Sequence, residues 1–489
     1  MTHRSGRTVR RIHNRSCTMP GHSAMLGLKK FDRQGVEVMS NKREVDMLNG
    51  PLAGKIFYFA LPVAAASILQ QLFNSADLAV VGRFDSPTAM AAVGSNAALI
   101  NLLVSLFSGL SLGGTVTVAS LIGSGKRQKV HEAVHTSITI AVLSGLIVCV
   151  IGETLAPVLL GLMNTPDEVM RLATLYLRIF FLAMPLFLIY DFGASILRAK
   201  GDSTRPLYAL IVSGLVNVAL NLLFVVRFHM GVAGVAIATD LSNFVSAAIV
   251  VYFLRHEEET FRLSFRKLGL RKEYFRRIVM IGAPAGVQGM VFSLSNVVIQ
   301  AAINGFGKDA IAGNTAGQNF EYMCYFVVFG FAQAATTFTS QNFAAGKTER
   351  CKKIYSRAMV MALVSAFALA VIFYLGRGLF LQIFTTDSKV AGYAVIRLVY
   401  VCLFEELTAV YEIPGGCLRG MNHSFTPAVI TILGSCVLRL VWIATFFQAH
   451  HTLPLMLIVY PVSWIVTGTA MNIACFRTRK KEFARISAK

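Results

Sequence analysis

The sequence predicts an all-α integral membrane protein with twelve transmembrane helices, arranged as two six-helix bundles that a parallel internal repeat relates. Three observations predict this fold. Apolar residues make up 55% of the 489-residue chain and charged residues only 15%, whereas a soluble domain carries about 25% charged residues. Twelve apolar runs are long enough to cross a bilayer. Residues of the first half also recur in the second half at a nearly constant offset.

The apolar runs each reach or exceed the roughly 20 residues that a membrane-spanning helix needs. Several are longer, which permits tilt or extension beyond the bilayer. The predicted spans are 55–80, 89–122, 131–152, 168–197, 207–227, 232–254, 276–303, 309–343, 352–375, 388–418, 427–448 and 454–475.

The basic residues fall mostly on one side of these spans. With the N-terminus in the cytoplasm, the cytoplasmic segments hold 37 of the 46 Lys and Arg residues, which is the asymmetry of the positive-inside rule. We therefore expect a multi-pass protein of the plasma or inner membrane with both termini cytoplasmic. The net charge of +21 then reflects short loops facing anionic lipid, so membrane lipid is an expected partner and nucleic acid is not.

The longest internal loop divides the spans into two sets of six. The predicted organisation is a cytoplasmic N-terminal extension at 1–50, a first bundle at 51–255, a cytoplasmic linker at 256–275, a second bundle at 276–476 and a basic cytoplasmic tail at 477–489. A second Met-initiated start, Met39, lies just ahead of the first span. Residues 1–38 are therefore expected to be a disordered extension or the product of a misplaced start codon.

The two halves repeat at an offset of 221 or 222 residues. Leu197-Arg198 recurs as Leu418-Arg419, and Pro62 recurs as Pro284. Each half holds an even number of spans, so both halves begin on the same side and the repeat axis lies along the membrane normal. Two bundles that face each other leave a central cleft, which suits alternating access better than a simple pore.

Four polar residues are predicted to share the outer half of the first bundle. Asp77 and Asn221 each lie about 9 Å from the outer end of their spans, Asn217 lies one turn deeper, and Thr239 lies about 12 Å from the same side. An ionisable group within a span is costly and is therefore a functional candidate. One carboxylate with amide and hydroxyl oxygens suits a sodium ion or a shuttled proton, so these four are candidate ion-coupling residues. The alternative is that they only hydrogen-bond helices together.

Polar residues elsewhere in the spans are candidates for the substrate cleft. Glu405, Thr408 and Glu412 share one helix face. Asp191 is the repeat partner of Glu412 near the cytoplasmic mouth, where both acids either pair with basic groups or face the cleft. Glu321 and Glu405 lie deeper, where an acid that faces the cleft attracts a cationic substrate or carries a second proton. The cleft candidates are Gln70, Gln71, Asp191, Gln288, Asn296, Glu321, Glu405 and Glu412.

Short motifs run through both halves in a fixed order. They are Gln70-Gln71, Asn74, Asp77, Val81-Gly82-Arg83, Ala91-Ala92-Val93-Gly94, Gly109, Gly123-Ser124-Gly125-Lys126, the run ILRAKGDSTRP at 196–206, Asn217, Asn221, Gly231-Val232-Ala233-Gly234, the run QNFAAGK at 341–347 and Leu418-Arg419-Gly420. In their order and spacing over about residues 45–475, these motifs resemble those of the multidrug and toxic compound extrusion (MATE) transporters.

This resemblance implies an antiporter, acting as a monomer without a cofactor, that exports organic cations and other amphipathic drugs in exchange for inward sodium ions or protons. Asp77 matches the family's first-span acid tied to ion coupling, and Asn217 and Thr239 match its companions. Some members carry a second acid at the position of Asn221, so the amide here leaves the coupling ion open. Other members use an acid in span seven, but residues 289–293 contain none. We expect drug and ion each to weaken the other's binding.

One motif points to a different class of protein. Residues 131–135 read HEAVH and fit the zinc motif HExxH. They begin span three at its basic edge, no third ligand motif follows, and the repeat partners of His131 and His135 are Lys352 and Ser356. Neither a zinc site nor a catalytic residue is therefore expected.

Two alternatives to the antiporter remain open, and a channel is a weaker third. The first is a lipid-linked precursor flippase of related fold, which would favour a cavity lined by Arg and Lys, whereas the charges identified in the spans are mainly acidic. The second is an intramembrane zinc protease built on the HEAVH motif. The third, a channel, is disfavoured because no ring-forming filter motif is present.

Overall fold

The computed structural model describes residues 44–163 and 165–488. The suggested extension at 1–38 lies outside these residues. Six helical runs form the first half, and we number them α1 to α6. They are α1 Leu52–Phe84, α2 Pro87–Gly123, α3 Arg127–Leu162, α4 made of Asp167–Leu182 and Met184–Lys200, α5 Thr204–Asn221 with a π-helical turn at Leu222–Arg227, and α6 Gly231–Arg255.

Six further runs form the second half, after a linker with a short 3-10 turn at Phe265–Lys267. They are α7 Lys272–Asn304, α8 Lys308–Ala344, α9 Thr348–Leu375, α10 made of Ser388–Tyr400, a 3-10 turn at Cys402–Thr408 and Ala409–Gly420, α11 made of Phe425–Thr431, a π-helical turn at Ile432–Val437 and Leu438–Ala444, and α12 made of Leu453–Leu457 and Val459–Ser487. Three short elements lie between these runs, Arg377–Phe380, Leu381–Ile383 and Phe446–Ala449.

The twelve runs follow the twelve predicted spans, with two differences in detail. The predicted fourth span is not one straight helix, because α4 bends by 49° at Ala183, just before Pro185. Proline cannot continue the helix hydrogen bonds of the preceding turn. The basic stretch predicted as a tail at 477–489 continues α12 as helix as far as Ser487.

Hydropathy separates two of the runs from the rest. Among the described residues, nine helices are long and apolar enough to cross a membrane, and the bent α4 makes ten. The other two runs are α8 and α10, which hold many buried polar side chains, among them Asn314, Glu321, Glu405 and Glu412. Their polar residues face neighbouring helices rather than lipid, which lowers the mean hydropathy without removing the helix.

The internal repeat is visible in the way that α2 and α8 end. Gly125 and Gly346 both have positive φ, of 70° and 72°, a left-handed conformation that glycine adopts without the steric penalty of a side chain. At each end the next residue closes the turn, because Lys126 N donates to Leu121 O at 3.1 Å and Lys347 N donates to Asn342 O at 2.8 Å. The Gly-Lys motif therefore ends α2 and α8 in the same way.

The two halves meet through two interfaces that the repeat relates. Helix α2 packs on α7, and α8 packs on α1. A Cβ atom added to Gly109 would lie 2.2 Å from the backbone N of Gly286, and one added to Gly330 would lie 3.1 Å from the Cβ of Ala64. Gly109 and Gly330 are repeat partners, as are Gly286 and Ala64. Small residues at these positions allow the helices to approach closely.

These contacts run from the helix middles toward the end of the molecule where residues 256–271 join the halves, which we call the linker end; the other end is the far end. Ser340 Oγ donates to Val116 O at 2.9 Å, and Gln341 Nε2 donates to Ala199 O at 2.8 Å. Arg277 also reaches across and donates to Ser120 Oγ at 2.7 Å. The structure is therefore closed at the linker end.

A short segment before α1, Glu44–Gly50, is bonded to both halves at the linker end. Val45 N donates to Gly201 O of the first half at 3.1 Å. In the second half, Arg350 donates to the backbone oxygens of Met47, Asn49 and Gly50 at 2.8–3.1 Å. This segment, which we call the strap, ties the closed end together.

The first-half anchor of the strap is a cluster of charges. Lys200 Nζ lies 2.5 Å from Glu44 Oε1 and 2.7 Å from Glu257 Oε2. Arg205 pairs with Glu257 and with Asp202. Burial opposes ionisation of Glu257, but Lys200 and Arg205 outweigh it and hold the pKa of Glu257 below its ordinary value. Burial outweighs the same cations at Glu44 and raises the pKa of Glu44.

Candidate functional site

The first candidate site is centred on Asp77, in the far-end half of α1. Its side chain is buried, with 7% exposure. Asn221 Nδ2 donates to Asp77 Oδ1 at 2.5 Å, and Thr239 Oγ1 donates to Asp77 Oδ2 at 3.2 Å. Helices α1, α5 and α6 thus converge on one carboxylate.

The remaining contacts close this group. Asn217 and Asn221 are four residues apart on α5 and so share one face. Asn221 Nδ2 lies 3.2 Å from Asn217 Oδ1, and Asn217 Nδ2 lies 3.4 Å from Thr239 Oγ1. Thr239 Oγ1 also lies 3.0 Å from Val235 O, so its single proton is shared between two acceptors. The four residues grouped by their helical spacing are in mutual contact, and we call them the Asp77 cluster.

The chemistry of the Asp77 cluster is that of a site for a proton or a hard cation. No described Lys, Arg or His lies within ion-pair distance of the Asp77 carboxylate. Asn221 Oδ1 is buried and has no hydrogen-bond partner among the described residues. Carboxylate, amide and hydroxyl oxygens are the ligands that hard cations prefer. A buried carboxylate without a basic partner is costly in its charged form until it takes up a proton or a cation.

A second acid of the first half was missed from the sequence. Asp240 follows Thr239 in α6, and its Oδ1 is buried without a hydrogen-bond partner among the described residues. The buried phenol of Tyr176 in α4 lies within electrostatic range of both Asp77 and Asp240. Asp240 could have been identified as a candidate from the sequence, because it is an ionisable residue within a predicted span.

The acids of the second half lie inside that half among arginines that sequence reasoning also missed. Arg397 Nε donates to Glu321 Oε2 at 2.7 Å, and Arg397 Nη1 donates to Asn314 Oδ1 at 2.5 Å. Arg397 and Arg439 are 1% and 0% exposed. The charges within the spans thus include two buried arginines beside the acids, which the expectation from the sequence did not count. Both arginines were visible as basic residues within apolar runs.

Glu405 belongs to the same buried group, with 2% exposure. It lies within electrostatic range of Glu321, Arg439 and Arg397, and its Oε2 has no hydrogen-bond partner among the residues described. Glu321 and Glu405, considered from the sequence as charges that face a cleft, are thus packed inside the second half with basic neighbours.

Asp191 and Glu412 form equivalent ion pairs with arginines of their own helices. Asp191 Oδ1 lies 3.6 Å from Arg198 Nη2, and Glu412 Oε2 lies 3.8 Å from Arg419 Nη1. The sequence left two roles open for Asp191 and Glu412, and in this structure both acids pair with a basic group. Arg419 Nη2 also donates to Gln288 Oε1 at 3.0 Å, which links α10 to α7.

The other cleft candidates are spread over the two halves. Gln70 is exposed and Gln71 half-buried on α1. Gln288 is buried against Arg419, and Asn296 Oδ1 lies 3.4 Å from Arg439 Nη1. The structure therefore brings the ion candidates together as one cluster but does not gather the cleft candidates into one.

His135 of the HEAVH motif has a structural role at the linker. Its Nδ1 lies 2.8 Å from His131 O, and its Nε2 accepts a hydrogen bond from Ser264 N at 3.0 Å. Both ring nitrogens are thus used by the protein, and His135 holds the linker against α3. No group of three or more His, Cys, Asp or Glu side chains suited to a metal occurs in the described ranges.

The chain is similar to known proteins over most of its length. A family model described as MatE matches residues 62–223 and 284–445, two stretches that are 222 residues apart. A probable multidrug resistance protein NorM of Thermotoga maritima is 27% identical over 391 residues, which cover 79% of this chain and 84% of that protein. A multidrug export protein MepA of Staphylococcus aureus is 19% identical over 79% of this chain and 86% of its own length.

A solved structure has the same fold. It is described as the outward-facing conformation of a multidrug resistance MATE family transporter of the MOP superfamily. At 21% sequence identity it aligns with a TM-score of 0.82 and covers 91% of this chain and 99% of its own.

Proposed function

The chain belongs to the MatE family of multidrug efflux transporters, and on that premise we propose that it is a secondary antiporter that exports drugs or organic cations in exchange for sodium ions or protons by alternating access. The proposed location is the plasma or inner membrane, with the linker end in the cytoplasm. The positive-inside charge asymmetry supports this orientation.

The observation that carries the proposal is the Asp77 cluster. It offers one buried carboxylate, one hydroxyl and one amide oxygen without a hydrogen-bond partner, and no basic residue of the described part of the chain lies close enough to be a fixed counter-charge. Such a group takes up a proton or a small cation and releases it when its surroundings change. Asp77, Asn217, Asn221 and Thr239 are therefore the proposed ion-coupling residues.

The closed linker end supports the direction of transport. With this end in the cytoplasm, the conformation is closed to the cytoplasm, and the Asp77 cluster lies in the outer half of the membrane. Uptake of the ion from outside then favours release of drug, and drug that enters from the cytoplasm favours release of the ion. This reciprocity is a coupling free energy between the two sites.

The proposed cargo is an amphipathic or cationic drug held between the halves. Gln70, Gln71, Gln288 and Asn296 are the proposed neutral polar lining. Asp191 and Glu412 are proposed to act near the cytoplasmic mouth through the Arg198 and Arg419 pairs. Glu321 and Glu405 are not proposed as free charges for the cargo, because their neighbours are arginines.

The test is export of ethidium, a fluorescent organic cation, from proteoliposomes in which sodium and proton gradients are imposed separately. Asp77→Asn should abolish gradient-driven export at normal protein level. Asp85→Asn is the matched control, because Asp85 is exposed just beyond the same end of α1. Full export by Asp77→Asn would refute the ion-coupling role.

Two alternative functions would each require side chains in a different arrangement. A flippase for lipid-linked precursors needs basic side chains that line the cleft, whereas Arg397 and Arg439 contact residues of their own half. A zinc protease needs free imidazole nitrogens, whereas both nitrogens of His135 are bonded. Vesicles that move a fluorescent lipid pyrophosphate but not ethidium would favour the flippase.

A further inference from the structure

The repeat gives the Asp77 cluster a counterpart in the second half. Helices α1, α5 and α6 correspond to α7, α11 and α12. Thr239 corresponds to Tyr460 at an offset of 221, and Asp77 corresponds to Ile299 at an offset of 222. The niche between these helices therefore recurs, but its acid is replaced by an apolar residue.

The counterpart of Asn217 is Arg439. Pro206 in α5 and Pro427 in α11 are 221 residues apart. Between Pro427 and Arg439, α11 contains the π-helical turn Ile432–Val437, and a π turn accommodates an additional residue. Past this turn the offset becomes 222, which pairs Asn217 with Arg439.

The contacts show the same equivalence. In the first half, Asn217 Nδ2 lies 3.4 Å from Thr239 Oγ1. In the second half, the guanidinium of Arg439 lies 4.5 Å from the ring centroid of Tyr460. The same pair of helix positions thus makes contact in both halves, once with a neutral amide and once with a permanent cation.

Arg439 is held by residues of its own half. Its Nε donates to Ser463 Oγ at 3.0 Å, its Nη1 lies 3.4 Å from Asn296 Oδ1, and its guanidinium lies 5.2 Å from the ring centroid of Phe292. Its Nη2 has no hydrogen-bond partner among the described residues. An arginine does not lose its proton in a protein, so the niche holds a positive charge at every stage of transport.

The buried charges nearest Arg439 are Arg397, Glu321 and Glu405. Arg397 and Glu321 form a direct pair. Arg439 and Glu405 make no direct ion pair with each other but lie within electrostatic range. The first half, in contrast, contains a carboxylate at Asp77 that no Lys or Arg in residues 44–163 or 165–488 pairs with. A buried acid beside a tethered cation has no need of an exchangeable one.

We propose that Arg439 is a tethered cation that fills, in the second half, the niche at which the first half takes up its coupling ion, so that each transport cycle takes up ions only in the first half. This proposal rests on the proposed function in one respect only, the role of Asp77. The filling of the second niche is tested independently of transport.

The experiment counts cations on the purified full-length protein, without drug. Equilibrium binding of radioactive sodium ion and the infrared band of protonated carboxyl groups are measured for the wild type and for Arg439→Gln. The substitution keeps a polar side chain with N–H donors but removes the charge, so Glu405 loses the counter-charge that Arg439 supplies. Cation uptake, as sodium or as a proton on a carboxyl, should rise by one cation per protein in Arg439→Gln.

Three further variants separate the explanations. Arg439→Lys keeps the charge and should keep the wild-type uptake. The double variant Arg439→Gln/Glu405→Gln should lose the added uptake, whereas Arg439→Gln/Asp77→Asn should retain it. The last result holds whether or not Asp77 couples transport, so a failure of the proposed function is distinguishable from a failure of this proposal.

The proposal is overturned if Arg439→Gln takes up no more cation than the wild type. It is also overturned if Glu405→Gln, with Arg439 in place, loses an uptake that the wild type has, because Glu405 would then already hold an exchangeable cation. This second measurement does not depend on the folding of Arg439→Gln. Size-exclusion profiles establish that each compared variant is folded.

Discussion

Asn221 donates a hydrogen bond of 2.5 Å to the carboxylate of Asp77, a residue 144 positions earlier in the chain. This bond joins α5 to α1 in the far-end half of the first bundle and satisfies one oxygen of a buried acid. The same amide also contacts Asn217, so Asn221 orients the Asp77 carboxylate within the proposed ion site.

Replacing Asn221 with Leu should therefore reduce ion-driven ethidium export by about tenfold or more. The change leaves a buried acceptor without its donor, which costs about 1–3 kcal/mol. Proteoliposome export under an imposed gradient is the measurement. Asn101→Leu is the control, because Asn101 is exposed on α2. Equal export by both variants would contradict the role of Asn221.

Replacing Gly286 with Leu should open the linker end. The α2 backbone leaves no room at this position, since an added Cβ would lie 2.4 Å from Leu106 O. Hydrogen–deuterium exchange should increase in residues 336–346, where α8 meets the first half. Gly161→Leu is the control, because no atom lies within 4 Å of an added Cβ there. Unchanged exchange in folded Gly286→Leu would show that the interface does not keep this end closed.

Breaking the buried pair of Glu321 and Arg397 should destabilise the protein strongly. Removal of one partner leaves an uncompensated buried charge, which costs about 3–5 kcal/mol. Glu321→Gln should lower the thermal unfolding temperature in detergent, and Glu321→Gln/Arg397→Met should recover much of the loss. Glu349→Gln, in an exposed pair with Lys352, should have no measurable effect. A double variant less stable than Glu321→Gln would contradict the pairing.

The charge cluster that anchors the strap should make stability depend on acid pH. The pKa of Glu257 in the folded protein is held below its ordinary value of 4.5. Its stabilising contribution is thus fully present above pH 4.5 and is lost as the pH falls through the folded pKa. The Glu257→Gln variant should unfold at a lower temperature than the wild type at pH 7. The two unfolding temperatures should converge below pH 4.5. Glu258→Gln, at an exposed neighbour, is the control and should follow the wild-type curve. A difference in unfolding temperature between Glu257→Gln and the wild type that stays constant from pH 7 to below pH 4.5 would contradict the lowered pKa of Glu257.

Most of the fold follows from local properties of the sequence. Apolar runs and the offset of 221 or 222 residues predicted twelve runs in two related halves. Pro185 lies within a predicted span and allows a bend there, but the sequence does not give the angle of the bend in α4, because a proline within a helix is compatible with a range of bend angles. The continuation of α12 was missed because a basic sequence alone does not end a helix.

The Asp77 cluster was predictable because its members lie at similar depths on three helices that the repeat places in one bundle. The partners of the second-half acids were not. Helical spacing puts Glu405 and Glu412 on one face, but it does not tell which neighbouring helix carries a cation to meet them. Arg397 contacts Glu321, which lies 76 residues earlier in the chain, and Arg439 contacts Asn296, which lies 143 residues earlier.

The sequence by itself therefore determined the class of protein, the number of its spans and the buried acid at Asp77. These properties are sums over contiguous residues or repeats of a motif. Only the tertiary structure decided which buried charge has a partner: Asp77 is met by amide and hydroxyl groups, Glu321 by Arg397, and the counterpart niche by Arg439. A charge in a membrane is stabilised by atoms within a few ångströms, and in this fold those atoms come from helices far apart in the chain.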